Sequence, residues 1–101
     1  MEWDFFFRQL EAGRNIDETC FYFADDLDEN EHYLGYLPQY EKPYWVGYCD
    51  IENGCEFESA KELVEAPIFD GKSLQERWDK VVICSIEGCD LTNWIKYFQH
   101  I

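Results

Sequence analysis

Near the start of the chain, apolar residues recur at i, i+3, i+4 and i+7: Trp3, Phe6, Phe7 and Leu10 form one stripe, and Glu2, Asp4, Arg8 and Glu11 take the other side. That period predicts an amphipathic helix over residues 2–12, ended by Gly13 as a left-handed cap. Phe5 falls off the stripe. The period then changes to two. Thr19, Phe21 and Phe23 alternate with Cys20, Tyr22 and Ala24, which predicts a first strand over 19–24 with one strongly aromatic face. Residues 25–32, Asp-Asp-Leu-Asp-Glu-Asn-Glu-His, are too charged to pack and read as a solvent-exposed loop. A short second strand over 32–37 stops at Pro38, and 38–43 is a turn. A third strand over 44–50 sets Tyr44, Val46 and Tyr48 against Trp45, Gly47 and Cys49. Asn53-Gly54 tolerates positive φ and predicts a hairpin into a short fourth strand over 55–57.

From Ser59 the helical period returns. Ser59-x-x-Glu62 is a capping box, Ala60, Leu63 and Val64 share a face, and Pro67 stops this short helix. Asp70-Gly71 makes a turn, and a second capping box, Ser73-x-x-Glu76, starts a helix over 73–80 with Leu74 and Trp78 as anchors. The run Val81-Val82-Ile83-Cys84-Ser85-Ile86 is apolar on both alternating faces, which predicts a strand buried on both sides inside the sheet. Asp90 caps a last helix whose Leu91, Trp94, Ile95 and Phe98 repeat the spacing of the first. The order α-β-β-β-β-α-α-β-α makes residues 1–101 a single α+β domain: a mostly antiparallel sheet of about five strands, packed by N-terminal and C-terminal amphipathic helices.

The stretch Phe69-Asp70-Gly71-Lys72-Ser73-Leu74-Gln75-Glu76-Arg77-Trp78-Asp79 resembles one that recurs in small acidic bacterial proteins with no assigned function. The resemblance covers about a tenth of the chain. It implies a bacterial origin and a structural role for the segment, which a turn, a cap and two buried anchors explain by themselves.

Composition sharpens this picture. With 101 residues and 47% hydrophobic content, one real core forms, burying roughly 60–65% of the unfolded surface. Eight Phe, seven Tyr and four Trp exceed what that core needs, so several rings, the tyrosines above all, reach the surface or an interface. The formal charge of -14 is spread along the chain and excludes direct nucleic-acid binding, because like charges repel phosphates. The same field attracts a basic partner and also serves solubility. The N-terminus carries acids where a secretory signal carries basic residues, and no apolar run approaches the ~20 residues of a membrane span. A soluble, cytoplasmic protein is expected. Five cysteines, an odd number without an export signal, argue for reduced thiols and no structural disulfide.

Each candidate chemistry has a plainer rival. Asp26-x-Asp28-x-Asn30 matches the first three ligands of a calcium loop, but the sixth and twelfth positions hold Glu31 and Leu37 instead of glycine and glutamate. A solvated charge run accounts for it, and neutralising Asp26 and Asp28 is expected to cost no stability. Cys49/Cys55 and Cys84/Cys89 lack the Cys-x-x-Cys spacing of structural zinc sites, so the cysteines read as small core hydrophobes and no metal or cofactor is expected. His32 and His100 are poorly placed for a catalytic base, one after an acidic loop and one at a fraying end, so no catalytic residue is assigned.

The sharpest signal is an aromatic surface beside the acidic loop, made of Tyr33, Tyr36, Tyr40, Tyr44, Trp45 and Tyr48. Tyr and Trp are enriched at interface hot spots, and a ring cluster rimmed by carboxylates suits a basic, apolar-centred partner. Tyr36, Tyr40, Tyr44, Trp45 and Tyr48, with Asp26 and Asp28, are therefore assigned to a partner face, and Trp78 to the core. The rival is that these rings fill both sides of a sheet under helices. The reading is a protein-interaction module, concretely an inhibitor or immunity-type antagonist of a basic protein. The alternatives are a structural homodimer and a small enzyme or metal-binding protein.

Overall fold

A computed structural model describes residues 1–47 and 55–99. The Asn53-Gly54 hairpin, the far part of the predicted third strand and His100 lie outside the described residues. Within them the order is α1 (Trp3–Ala12), β1 (Thr19–Phe23), β2 (His32–Tyr36), β3 (Tyr44–Val46), β4 (Glu56–Phe57), α2 (Ala60–Glu65), a 3-10 turn (Trp78–Lys80), β5 (Val81–Ser85) and α3 (Leu91–Gln99). The strands form one antiparallel sheet ordered β4-β3-β2-β1-β5.

The stripe of α1 buries Phe6 and Leu10 completely. Its end is a Schellman motif: Gly13 at φ 65° donates its N–H to the Leu10 carbonyl at 3.0 Å, and Arg14 donates to Gln9 at 3.2 Å. Glycine is required here twice over, since a Cβ would also meet the Tyr36 ring at 2.5 Å. Ser59 caps α2 by accepting from the Glu62 N–H at 3.1 Å, and Asp90 caps α3 by accepting from Asn93 at 2.9 Å. Of the α3 stripe, Trp94 is buried, with Nε1 donating to the Asn15 carbonyl at 2.8 Å, whereas Ile95 is exposed. The Phe98 side chain lies outside the described residues.

On the sheet, the period of two places Thr19, Phe21, Phe23, Leu34, Tyr44 and Val46 on the helix side, all buried in one cluster with α1 and α2 or, for Thr19, bonded through Oγ1 to the Ile16 carbonyl at 2.6 Å. The centre of that cluster is aromatic. Phe21, Phe23, His32 and Phe69 contact one another at ring-centroid distances of 5.2–5.9 Å, mostly edge to face, the arrangement ring quadrupoles favour. Arg77 closes its end. The guanidinium lies 3.6 Å from the Phe23 centroid and pairs with Asp25 at 2.8 Å.

Two expectations are corrected. The run at 81–86 is not an inner strand: β5 is an edge of the sheet, paired with β1 alone, and Val82 is exposed. Its apolar character on both faces arises because Val81 and Ile83 pack on the core while Val82 faces the side without helices, where apolar residues also gather. Ile86, fully buried, leads into a two-residue turn in which Glu87 and Gly88 both have positive φ, the type I′ pattern of tight hairpins. The second correction concerns residues 73–80. The capping box forms, with Ser73 N–H to Glu76 Oε1 at 3.0 Å and Glu76 N–H to Ser73 Oγ at 3.1 Å, but no α-helix follows. Trp78 and Lys80 instead donate back three residues, to Gln75 and Arg77, because Trp78 is drawn against Trp3 and Phe6 and its Nε1 donates to the Met1 carbonyl at 3.1 Å. Trp78 does pack on the core, half-buried at its margin rather than enclosed within it.

Phe21→Ala is expected to lower the unfolding free energy by roughly 3–5 kcal/mol in a urea titration, the range for deleting a buried large aromatic. Val82→Ala should cost less than about 1 kcal/mol, since little packing surrounds it. Equal losses in the two variants would mean that β5 is covered on both faces.

Candidate functional site

α1 and α2 pack on one face of the sheet, and the outward positions of its strands make up the other. Alternation places Cys20, Tyr22, Tyr33, Gly35, Trp45 and Val82 there. Tyr33 and Val82 are exposed, and Tyr22 and Trp45 are half-buried. Trp45 lies across Gly35, its direct neighbour on β2, so closely that a Cβ on Gly35 would come within 2.7 Å of the indole and collide with Asp17 Oδ1. A glycine in mid-strand is thus the seat of the tryptophan. Asp17, on the loop before β1, fixes this arrangement: its Oδ1 accepts from Trp45 Nε1 and from the Tyr36 N–H, each at 3.0 Å. Beside the indole lies an open hollow of about 400 Å³ lined by Tyr40, Leu37, Pro43 and Cys55, with Lys42 and Glu56 as its charged residues.

The seven residues assigned to a partner face therefore divide. Trp45 and Tyr40, the latter exposed, meet at this hollow. Tyr44 is withdrawn from the face: its ring is buried on the helix side against Tyr36 at 4.9 Å, and its hydroxyl donates to the Glu11 carbonyl at 2.8 Å. Burial raises its phenol above the ordinary value. Tyr36 points the same way, half-buried against Gly13. The even-numbered tyrosines of β2 and β3 share a face with the core residues Leu34 and Val46, so the period of two excludes them from the surface that Tyr33 and Trp45 occupy. Tyr48 lies outside the described residues.

Asp26 and Asp28 sit in the exposed loop between β1 and β2, and Asp26 organises it. Its Oδ1 accepts from the Asp28 N–H at 3.0 Å and its Oδ2 from the Asn30 N–H at 3.1 Å, and these bonds hold its carboxyl below the ordinary value. These bonds argue against the expectation that neutralising Asp26 and Asp28 costs no stability, which the melting of the variants decides. Leu27 stands fully exposed beside Asp26.

At the β1–β5 edge of the same face the pairing register shifts between Cys20 and Phe21, and Cys84 falls opposite the shift. The sulfurs of Cys20 and Cys84 and a carboxylate oxygen of Glu31 lie within 4.8 Å of one another. Cys20 Sγ donates to Glu31 Oε2 at 3.6 Å, and the Tyr33 hydroxyl donates to the same oxygen at 3.3 Å. The Cys20 sulfur first, and Glu31 after it, push the Tyr33 phenol up to about 12; burial first, then Cys20, Glu31 and Glu29, pushes the Cys84 thiol up to about 11. At the neighbouring turn, burial and then Asp17 and Glu18 raise the Glu87 carboxyl. Groups able to carry negative charge thus crowd this side of the sheet. His32 is on the opposite side, among Phe21, Phe23 and Phe69, so it cannot act as a base for either thiol.

The thiols of Cys20, Cys84 and Cys89 are free, but Cys55 is disulfide-bonded, which corrects the expectation of five reduced cysteines. Sequence reasoning also passed over Asp17, Glu31 and the pairing of Cys20 with Cys84. The one available sign was the outward register of Cys20 on β1.

Compared with protein-family models, curated proteins and solved structures, the chain matches none. The site therefore rests on its own geometry. Among the described residues no helix is long and apolar enough to cross a membrane.

Asp17→Ala leaves the Tyr36 N–H and the Trp45 indole N–H without their acceptor and should cost roughly 1–3 kcal/mol, with a change in Trp45 environment visible in fluorescence. Asp17→Asn keeps an acceptor oxygen and should recover most of that loss; equal damage from both variants would assign the effect to charge. Asp26→Ala should lower the melting temperature near neutral pH. Because the folded carboxyl of Asp26 is depressed, its stabilisation is present above the ordinary carboxylate value and is lost as pH falls through the folded one. The difference between wild type and Asp26→Ala should accordingly vanish in acid, and a constant difference down to low pH would refute the linkage.

Proposed function

We propose that this protein is an acidic interaction module that captures a basic protein through the helix-free face of its sheet, as a small inhibitor or immunity-type antagonist does. The observation that carries this reading is the placement of Tyr33, Trp45 and Tyr40 on or beside that face, within a chain of net charge -14. Tyrosine and tryptophan give large contact area at low entropic cost, and the acids around them steer a cationic surface into register. Leu27, held up by an ordered acidic loop, supplies an apolar tip with a charged surround. The rival homodimer would lay two copies, each at -14, face to face; Coulomb repulsion opposes that arrangement and favours a partner of opposite sign. The Cys55 disulfide weighs toward an oxidising compartment.

The expected partner is recovered from the source organism by affinity capture, has a basic isoelectric point, and associates more slowly as salt rises. Tyr33→Ala and Tyr40→Ala, both at exposed rings, should fold normally and weaken the complex, by roughly 2 kcal/mol or more where the ring is a hot spot. Ile95→Ser, on the exposed side of α3, should leave the complex intact. A chain that runs at twice 12.2 kDa in light scattering, or a complex broken by Ile95→Ser and not by the tyrosine variants, would overturn the proposal.

A further inference from the structure

We propose that Cys20, Cys84 and Glu31 form a binding site for a thiophilic divalent cation of the zinc class, on the helix-free face at the β1–β5 edge. No pair of these residues has a metal-binding spacing in the sequence, and the fold alone assembles them: β1 and β5 pair antiparallel, and alternation from the Tyr22–Val82 pair puts Cys20 and Cys84 side by side on the same face, at the register shift. The ligand atoms already lie within 4.8 Å of one another. A tetrahedral zinc with bonds of about 2.3 Å to sulfur and about 2.0–2.2 Å to oxygen needs its ligands roughly 3.5–3.8 Å apart. A contraction of about 1 Å, within reach of side-chain torsions, completes the first three positions.

The donor set selects the ion. Two thiolates and one carboxylate suit zinc or another soft or borderline metal, and they discriminate against calcium and magnesium, which take oxygen ligands. Cys20 is buried and Cys84 half-buried, while Glu31 is exposed, so the sulfurs are sheltered and the carboxylate side gives the ion a route in. The Tyr33 hydroxyl on Glu31 is the outer-sphere partner that orients a ligating carboxylate. Three groups that repel one another once ionised gain most from a cation placed between them. Three protein ligands leave a fourth tetrahedral position open to water or to a donor from a partner. The site stands independently of the proposed basic partner, since it needs residues of this chain only.

Cobalt(II) added to the full chain, with the Cys55 disulfide intact and excess magnesium present, is expected to bind at one equivalent. Thiolate-to-cobalt charge-transfer absorption should appear, and zinc should abolish it. Cys84→Ser, at a half-buried edge position, and Glu31→Gln, at an exposed one, should each weaken cobalt binding at least tenfold, while Cys89→Ser, outside the cluster, should leave it unchanged. Melting of the metal-free variants checks that they are folded, and zinc should raise the melting temperature of the wild type and of Cys89→Ser only. Cobalt bound without charge-transfer absorption, binding unaltered in both cluster variants, or a native chain in which Cys20 and Cys84 are joined as a disulfide would each overturn the proposal.

Discussion

Burial of Phe21 and Phe23 beneath the helices is the constraint on which the rest of the structure depends. Their strand, β1, pairs with both β2 and β5, so whichever face receives the two phenylalanines sets the facing of its neighbours. A slip of one residue would put Cys20 and Tyr22 under the helices and two large rings in water, a cost of several kcal/mol. From this single choice follow the buried positions of Leu34 on β2 and, through β2, of Tyr44 and Val46 on β3. The surface that faces away is decided by the same alternation.

The end of the aromatic core would otherwise open onto the acidic loop. Arg77 closes it by stacking on Phe23 while its guanidinium reaches Asp25 at 2.8 Å and Asp70 at 3.5 Å. Its side chain is 12% exposed against 52% and 90% for the two acids, so the cation is sheltered while its partners remain in water. Exposed pairs of this kind contribute little by themselves, and the contact with the ring is the larger reason for the arginine to lie there. The segment that carries it runs from the Ser73–Glu76 capping box into a 3-10 turn because Trp78 must reach back to α1, which leaves no room for a further helical turn before β5.

The helix-free face brings together features that seemed unrelated along the chain. Trp45 is both an anchor and part of the frame, seated on Gly35 and held by Asp17, so its exposed edge has a fixed orientation. Rigid rings lose little entropy on binding, and a preset orientation lowers the cost of association further. At the other edge, Cys20, Cys84, Glu31 and Tyr33 form a cluster in which Cys20 and Glu31 raise the Tyr33 phenol, and burial, then Cys20 and Glu31, raises the Cys84 thiol. An aromatic patch toward one edge and a cluster of two thiols and a carboxylate at the other give one small face two kinds of recognition chemistry.

Local signals were legible wherever a short-range pattern decided the outcome. The stripe of α1, its Gly13 cap, the capping boxes at Ser59 and Ser73, the alternation of β1 and the α+β order all follow from periods and side chains within a few residues of one another. Sequence could not rank strands that are apolar on both faces. Val81–Ser85 read as inner and is an edge, while Thr19–Phe23 lies between two strands, because strand order depends on pairing across long separations. Nor could it sort the tyrosines, since Tyr36 and Tyr44 differ from Tyr33 only in register. The Cys20–Glu31–Cys84 cluster was out of reach for the same reason: its members meet only once β1 has paired with β5, a contact between residues far apart in the chain.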